Sequence, residues 1–317
     1  MHELKKKKGY VPPIEQEVLD AIEWKWQNVP YAHQSAQQVL DIYYPNQVIL
    51  EQYPVIVYYH GGGFELGAKD DEDLEPMLCA LDRGYVVVSV EYRKSAEARF
   101  PAALYDAKAA LRFLRANARR YRLDAERIGV WGPSSGGWIV AMLGVTEGNP
   151  AFEDLSMGNE EYSSGVDAVL DWCGPCAGFH RMDQMAREAG MEVRRPHSDP
   201  KSPESKFLGA DITLVPELCE LACPCTYANA DIPPFMIVHG TADNAVPVRQ
   251  SIEFAGALRS KAGDDKVRLY IAEGAPHHGN TWYTQEWVIN MCLDFFDGVL
   301  KAGESLQEEM PLAAANA

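Results

Sequence analysis

Six short and almost uninterrupted apolar runs recur along the chain, and they limit its fold more than any other feature of the sequence. Runs of this kind are typical of parallel β-strands that are covered on both faces. Between the second and third runs, apolar side chains recur at the spacing of a helix that begins after Pro101. The runs occupy residues 55–59, 85–90, 128–131, 166–170, 235–238 and 267–271.

This alternation of strands and helices predicts βαβ units, and therefore an α/β fold with a mostly parallel, doubly wound sheet. Residues 22–26 and 39–44 are predicted to be antiparallel strands that open the sheet. Residues 173–230 lack a clear period and are rich in Pro, Cys and Met, so we interpret them as a short insertion. In such sheets ligands bind beyond the carboxyl ends of the strands, and the insertion is predicted to cover that edge. The whole chain, residues 1–317, is expected to form a single domain.

The chain carries a strong negative charge, with 46 acidic and 29 basic residues and a net charge of −17. Such a surface repels phosphate backbones, so nucleic acid is not an expected partner. Four lysines near the amino terminus are not followed by the apolar segment of a secretion signal, and no run reaches the roughly 18 apolar residues of a membrane span. Together with an odd number of cysteines, seven, this predicts a cytoplasmic protein without a membrane partner.

The third apolar run leads directly into the sequence WGPSSGG, which contains the pattern G-x-S-x-G. In that pattern a serine lies on a sharp turn between a strand and a helix, exposed at the carboxyl edge of the sheet. The flanking glycines remove Cβ atoms that would clash where the strand and the helix nearly touch. Because residues 138–142 have a helical pattern, Ser134 is the candidate nucleophile, with an ordinary Gly–Ser turn as the alternative.

Three consecutive glycines follow the first apolar run, in the sequence HGGGF at residues 60–64. Such a loop leaves backbone N–H groups accessible, and it can donate hydrogen bonds to a developing oxyanion together with the residue after the nucleophile. The predicted donors are the amides of Gly62, Gly63 and Ser135. We expect His60 to brace the loop rather than to act in catalysis.

An acid and a base are expected after Ser134, since triads of this arrangement run along the chain in the order Ser, acid, His. Asp243 follows the fifth apolar run, where it could hold a histidine in one tautomer and stabilise its charged form. Two adjacent histidines, His277 and His278, follow the sixth run. We favour His277 as the general base and keep His278 as the alternative, because the sequence does not show which one reaches both partners.

Longer motifs surround these candidate residues: HGGGF at 60–64, EYR at 91–93, FPAALYDAKAALRFLRANA at 100–118, LDAERIGVWGPSSGG at 123–137, SPESKFLGA at 202–210 and CTYANADIPPFMIVHGTADNAVP at 225–247. They resemble the bacterial esterases related to feruloyl and acetyl esterases, within the wider group of hormone-sensitive-lipase-like hydrolases. The resemblance runs from about residue 35 to 300. It implies an α/β-hydrolase fold and the hydrolysis of small carboxylic esters, of the acetyl or feruloyl type, through an acyl-enzyme, with no cofactor and no metal. It also leaves open a homodimer.

Side chains near the predicted serine turn and glycine loop, together with the insertion, are expected to line a substrate pocket. Such pockets are mostly apolar, with a few polar groups that orient the ligand. The predicted lining residues are Phe64, Glu65, Trp138, Trp172, Phe179 and Met182.

The string WCGPC at residues 172–176 matches the active-site sequence of thioredoxins, so a thiol–disulfide redox protein is an alternative of a different class. That function would require a thioredoxin-like βαβ framework, whereas here the string ends a strand of the larger predicted sheet. Cys173, Cys176, Cys223 and Cys225 could also form a zinc site or a disulfide, although C-x-C is an unusual spacing for structural zinc.

Two further alternatives share the predicted fold. A homologue that binds acyl groups without catalysis is one of them, since a fold does not guarantee a function. The intact set of Ser, Asp and His argues against it. A serine peptidase with the same triad is the other, and the lack of the large extra domain typical of prolyl-oligopeptidase relatives argues against that one.

Overall fold

The structure, a computed structural model, describes residues 11–47, 50–193, 195–278 and 282–301. The four lysines near the amino terminus lie outside these residues.

An eight-stranded sheet forms the centre of the molecule. Its strands are β1 Lys25–Pro30, β2 Val39–Tyr43, β3 Tyr53–Tyr59, β4 Val86–Val90, β5 Leu123–Pro133, β6 Ala168–Trp172, β7 Phe235–Gly240 and β8 Val267–Ala272. They are arranged in the order β1-β2-β4-β3-β5-β6-β7-β8. β2 is antiparallel to β1 and to β4, and every later pairing is parallel. This confirms the predicted mostly parallel sheet with antiparallel amino-terminal strands.

Helices cover both faces of the sheet. They are α1 Gln16–Asp20, α2 Glu75–Leu78, α3 Ala102–Ala116, α4 Ser135–Val145, α5 Met182–Glu188, α6 Pro203–Leu208, α7 Pro216–Leu221, α8 Arg249–Ala262 and α9 Glu286–Leu300. One apolar core lies between the sheet and the helices α3, α4 and α8, and the other lies between the sheet and α1, α2 and α9. Every residue of β3, β4 and β6 is buried, which explains why these strands have no polar alternation in the sequence.

The first strand begins later than the sequence pattern suggests, at Lys25 instead of residue 22. The amide of Ile22 donates to the Leu19 carbonyl, 3.2 Å away, so this residue closes α1 and buries its side chain in the second core. Lys25 Nζ then donates to the carbonyls of Leu19 and Ile22 at 2.9 and 2.8 Å. Ile22 therefore belongs to the end of the helix and not to the strand.

The segment 173–230 contains the three short helices α5, α6 and α7. α6 begins where the Ser202 Oγ accepts a hydrogen bond from the Ser205 amide at 3.0 Å, and it ends at Gly209, whose φ is +74°. Its first residue, Pro203, lies against the loop after β3, since a Cβ on Gly63 would be 3.1 Å from the Pro203 Cβ. α6 therefore lies at the carboxyl edge of the parallel strands. No helix among the described residues is both long and apolar enough to cross a membrane.

Candidate active site

Ser134 occupies a sharp turn between the end of β5 and the start of α4. Its φ of +55° and ψ of −119° are a strained combination for a residue with a side chain. The turn is feasible because a Cβ on Gly132 would meet the Gly136 backbone at 2.5 Å, and one on Gly136 would collide with the Tyr59 carbonyl. The Ser134 amide also donates to the Trp172 carbonyl at 2.7 Å, which ties the turn to β6. The geometry is that of a nucleophile elbow.

The structure brings Ser134, His277 and Asp243 together in one line of hydrogen bonds. Ser134 Oγ lies 3.0 Å from His277 Nε2, and His277 Nδ1 lies 2.6 Å from Asp243 Oδ2. A carboxylate only accepts, so Nδ1 carries the proton and Nε2 of a neutral imidazole is left to accept from the serine hydroxyl. The arrangement is the one in which a histidine takes the proton of a serine nucleophile.

The Asp243 carboxylate is fully buried and held by several donors. Its Oδ1 accepts from the amides of Ala245 and Val246, each at 2.8 Å, and Oδ2 lies 3.1 Å from His239 Nε2 as well as near His277. Burial alone would raise the pKa of Asp243, but the charge interaction with His277 and the hydrogen bonds from His239 and His277 outweigh it and lower this pKa well below its usual range. Asp243 therefore stays ionised beside the imidazole.

The two adjacent histidines have opposite environments. Burial and the neighbouring histidines together lower the pKa of His277 by more than Asp243 raises it, so this imidazole is neutral near pH 7 and can accept a proton. His278 Nδ1 lies 3.3 Å from Asp73 Oδ2, and although burial lowers the pKa of His278, Asp73 raises it overall. His277 thus has the contacts and the protonation state expected of a base, while His278 pairs with a carboxylate from another loop.

The glycine loop after β3 presents free amides near the elbow. Gly62 and Gly63 have φ values of +106° and +62°, and a Cβ on Gly62 would collide with the Leu66 carbonyl. Among the hydrogen bonds between described residues, none is donated by the amides of Gly62, Gly63 or Ser135. These are the three amides predicted as oxyanion donors, and they are available to a ligand.

His60 stabilises this loop through hydrogen bonds and ring stacking. Its Nδ1 lies 2.7 Å from the Gly61 carbonyl, its Nε2 lies 3.1 Å from Glu91 Oε1, and its ring stacks on Tyr92 with centroids 4.2 Å apart. Tyr92 Oη also donates to the His60 carbonyl at 2.8 Å. The imidazole is fully buried, so its contacts are structural, as expected from the sequence.

Three of the predicted pocket residues, Phe64, Trp138 and Phe179, form an aromatic cluster beside the elbow. Phe64 packs edge-on against Trp138 with centroids 5.3 Å apart. Phe207 of α6, which was not predicted from the sequence, stacks on Phe64 with ring centroids 3.8 Å apart. Each of these four side chains is at most 2% exposed. Met182 lies in the same core. The cluster fills the space next to the glycine loop.

Two other predicted pocket residues lie elsewhere. Trp172 points to the opposite face of the sheet, where its ring contacts Trp131 and Tyr283 at 5.0 and 4.9 Å. Successive strand residues alternate between faces, and this parity carries the indole away from the aromatic cluster. Glu65 forms an ion pair with Lys206 at 2.6 Å and lines a polar cleft instead of the aromatic cluster. Trp172 therefore does not lie with the other predicted pocket residues, and that prediction is wrong, whereas Glu65 lines the polar cleft.

All seven cysteines are described and none forms a disulfide. Cys173 and Cys176 are completely buried, and burial raises the pKa of both thiols. A thioredoxin-type thiolate needs a lowered pKa at the start of a helix, whereas Cys173 follows the end of β6. The WCGPC string therefore lacks the environment of a redox site.

Within the described part of the chain, the group of side chains that could hold a metal ion is Cys173, Asp243 and His277, whose donor atoms lie within 4.8 Å of one another. The bond of 2.6 Å between His277 Nδ1 and Asp243 Oδ2 is shorter than the roughly 3.3 Å that separates two ligands of a tetrahedral zinc ion. The distance fits a hydrogen bond from His277 Nδ1 to Asp243 Oδ2 and does not fit two ligands of one metal ion.

The strand order, the elbow after β5 and the line of Ser134, His277 and Asp243 define the class of protein: an α/β-hydrolase with a serine triad. More narrowly, the chain belongs to the BD-FAE family, which matches residues 40–258. The prolyl oligopeptidase family also matches residues 216–303, a segment that includes the acid and the base.

Individual relatives agree with this assignment. Esterase LipQ of Mycobacterium tuberculosis is 28% identical over 251 residues, which are 79% of this chain and 56% of LipQ. A solved structure titled "Truncated form of carbohydrate esterase from gut microbiota" is 30% identical with a TM-score of 0.76, over 90% of this chain and 98% of that one. A bifunctional GH43-CE protein of Bacteroides eggerthii is 31% identical with a TM-score of 0.74, over 86% of this chain and 35% of that one. The chain spans about half the length of the curated relatives it matches.

Proposed function

We propose that this protein hydrolyses carboxylic esters through an acyl-enzyme formed at Ser134. The observation that carries the proposal is the unbroken line from Ser134 Oγ through His277 to Asp243, at a strained turn that faces unoccupied backbone amides. The names of the relatives, which include esterases and a carbohydrate esterase, support the same reaction.

In the proposed mechanism Ser134 Oγ attacks the ester carbonyl while His277 Nε2 takes its proton. Asp243 holds the imidazole in the required tautomer and stabilises the imidazolium that forms. The amides of Ser135, Gly62 and Gly63 stabilise the oxyanion, and one such donor lowers the barrier by about 3 kcal/mol. The alcohol leaves with the proton from His277, and water then repeats the sequence on the acyl-enzyme.

The proposed acyl group is short, of the acetyl type. Phe64, Trp138, Phe179 and Phe207 pack against each other and are almost completely buried, so they leave little space beside the loop for a long or aromatic acyl chain. Rearranging such a cluster would cost packing energy, because protein cores are close-packed.

Acetyl esters should therefore be the best substrates in a p-nitrophenyl ester series from acetate to octanoate. We expect kcat/KM to fall by at least about tenfold between butyrate and octanoate, since the aromatic side chains must be displaced. Phe207→Leu removes part of the stack on Phe64 and should raise the relative rate on octanoate. A wild-type optimum at octanoate would contradict the acetyl assignment, while activity on any ester would still support the proposed reaction.

The alcohol part of the substrate is proposed to be polar. A cleft of about 470 Å³ begins at Glu65, directly after the glycine loop, and is lined by charged and hydroxyl side chains such as Lys206, Arg99 and Ser205. The Arg99 side chain lies across the end of α6, where a Cβ on residue 209 would collide with it. No hydrogen bond or ion pair joins its guanidinium to another described residue, so five N–H donors are available to a polyhydroxylated leaving group.

Arg99→Ala should accordingly lower kcat/KM for an acetylated sugar by at least about tenfold, since one hydrogen bond to a charged donor contributes about 1.5 to 3 kcal/mol. Its kcat/KM for p-nitrophenyl acetate, whose leaving group is apolar, should stay within about twofold. Arg119→Ala, at an exposed position outside the cleft, is the matched control. Equal losses on both esters would show that Arg99 acts on the loop and not on the alcohol.

A second candidate function is peptide hydrolysis, which is favoured by the match of residues 216–303 to the prolyl oligopeptidase family. That match covers the acid and the base but neither the elbow nor the glycine loop. Peptidyl p-nitroanilides tested beside the ester series distinguish the two candidates. Turnover of the anilides without turnover of any ester would favour the peptidase.

A further inference from the structure

His278, which was one of two candidates for the base, pairs with a residue from a distant loop. Its Nδ1 lies 3.3 Å from Asp73 Oδ2, and no hydrogen bond joins it to Ser134 in the described structure. Asp73 lies in a short 3₁₀ turn, Glu72–Leu74, whose Leu74 is completely buried. The turn is also anchored by a bond of 2.8 Å from the Glu72 amide to the Pro12 carbonyl. Asp73 therefore holds the His278 imidazole from a turn that is itself anchored.

The same imidazole lies against the glycine loop. A Cβ on Gly61 would be 3.2 Å from both Cε1 and Nε2 of His278, and 3.2 Å from the Pro133 carbonyl. On its other side the Gly61 carbonyl lies 2.7 Å from His60 Nδ1. Gly61 is thus held between two imidazoles, and the next two residues carry the amides proposed to bind the oxyanion.

His278 also touches the proposed base. The rings of His277 and His278 lie 4.6 Å apart between centroids, at an interplanar angle of 60°. The titratable side chains that face His278 are Asp73, Asp71, Asp243 and His277. The pKa values of Asp73 and Asp243 are lowered, so both stay ionised and favour the charged imidazole, whereas burial raises the pKa of Asp71 to about 7.

From these contacts we propose that His278 and Asp73 form a positioning pair that fixes both the oxyanion loop, through Gly61, and the ring of His277. The proposal rests on the proposed function, because it assigns roles to the loop and to His277. His278 touches no reacting atom, so its role is to hold the groups that do.

The charge of His278 also affects how kcat/KM depends on pH. A neighbouring cation lowers the pKa of His277, because protonating that ring would bring two like charges together. Since His277 acts only when neutral, activity is lost as the pH falls through its pKa. Removing the charge of His278 raises that pKa, and the acid limb of kcat/KM must then move to higher pH.

The test compares His278→Asn, Asp73→Asn and the double variant with wild type and with Asp70→Asn. Asp70 is the matched control because its carboxylate, in the same acidic run, is half exposed. For each protein kcat, KM and the pH profile are measured with p-nitrophenyl acetate. The rate of labelling by a fluorophosphonate is measured as well, because it reports the reactivity of Ser134 without any assumption about the natural ester. Melting temperatures control for folding.

We expect His278→Asn to lower kcat about tenfold with KM nearly unchanged, since a small misplacement of catalytic groups is felt mainly in the chemical step. Its acid limb should move up by about 0.5 to 1 pH unit. Asp73→Asn should lower kcat by a similar factor. The double variant should be no slower than the slower single variant, because the two residues act as a unit.

Unchanged kcat, labelling rate and acid limb in a folded His278→Asn would overturn the proposal. If that variant does not fold, an unchanged labelling rate in Asp73→Asn would overturn it equally. Failure of the proposed function would give a different result, because wild type would then hydrolyse no ester. The fluorophosphonate labelling rates of wild type and variants would still show whether His278 and Asp73 affect the reactivity of Ser134.

Discussion

Replacing Ser134 with alanine should lower kcat on p-nitrophenyl acetate by a factor on the order of 10⁶, the loss seen when a serine triad is deprived of its nucleophile. The hydroxyl oxygen is the proposed attacking atom, and it lies 3.0 Å from His277 Nε2. Residual turnover would come from the oxyanion amides and from binding alone.

The fold should survive this substitution. Ser134→Ala removes about one hydrogen bond, worth on the order of 1 kcal/mol, and keeps the backbone bond from residue 134 to the Trp172 carbonyl. The melting temperature should therefore shift by no more than about 2 °C. Circular dichroism and thermal melting establish that the protein is folded before any rate is compared.

Ser260→Ala is the matched control, because Ser260 is an exposed serine of α8 whose hydroxyl donates to the Ala257 carbonyl. It should keep wild-type rates and wild-type labelling by a fluorophosphonate, whereas Ser134→Ala should lose both. Turnover by Ser134→Ala above about 1% of wild type, with labelling at another serine, would remove residue 134 from the mechanism.

Much of this fold can be predicted because its signals are local. The uninterrupted apolar runs require a sheet covered on both faces, and the glycines around Ser134 are required where a helix crosses a strand closely. Even two insertion helices carry a local signal, since α6 and α7 begin with Pro203 and Pro216. Those prolines could have predicted helices in a segment that shows no clear period.

Other features depend on contacts between distant parts of the chain. Asp73 lies in a run of acidic residues that has the appearance of a solvated surface, yet its carboxylate is largely buried against His278, about 200 residues away. The face of the sheet on which Trp172 lies depends on its position along β6. Because every residue of β6 is buried, the sequence shows no polar–apolar alternation that would reveal this face. Phe207 joins the aromatic cluster only because α6 folds back over the glycine loop.

The two histidines of one loop should differ by about four orders of magnitude when they are changed one at a time. His277→Ala should lower kcat by a factor on the order of 10⁵ to 10⁶, because it removes both the acceptor of the serine proton and the donor to the leaving alcohol. His278→Ala, its neighbour and matched control, should lower kcat only about tenfold to a hundredfold, since it disturbs position but not proton transfer.

Loss of the His277 ring should not unfold the protein. Asp243 would keep the amides of Ala245 and Val246 and the imidazole of His239 as donors, so its buried charge remains compensated. Added imidazole provides a readout that a structural role would not affect. It can occupy the vacated space, accept the proton of Ser134 and restore part of the rate of His277→Ala, with a rescue that grows as the pH rises and more imidazole is neutral.

The reverse pattern, with His278→Ala inactive and His277→Ala reduced only about tenfold, would assign the base to His278. The line of hydrogen bonds from Ser134 through His277 to Asp243 would then have to break on substrate binding, and the pair of His278 with Asp73 would have to open. Opening that pair would leave the buried Asp73 carboxylate without its imidazole partner, and an uncompensated buried charge is costly. The proton path through His277 needs no such rearrangement, which is the physical reason to expect it.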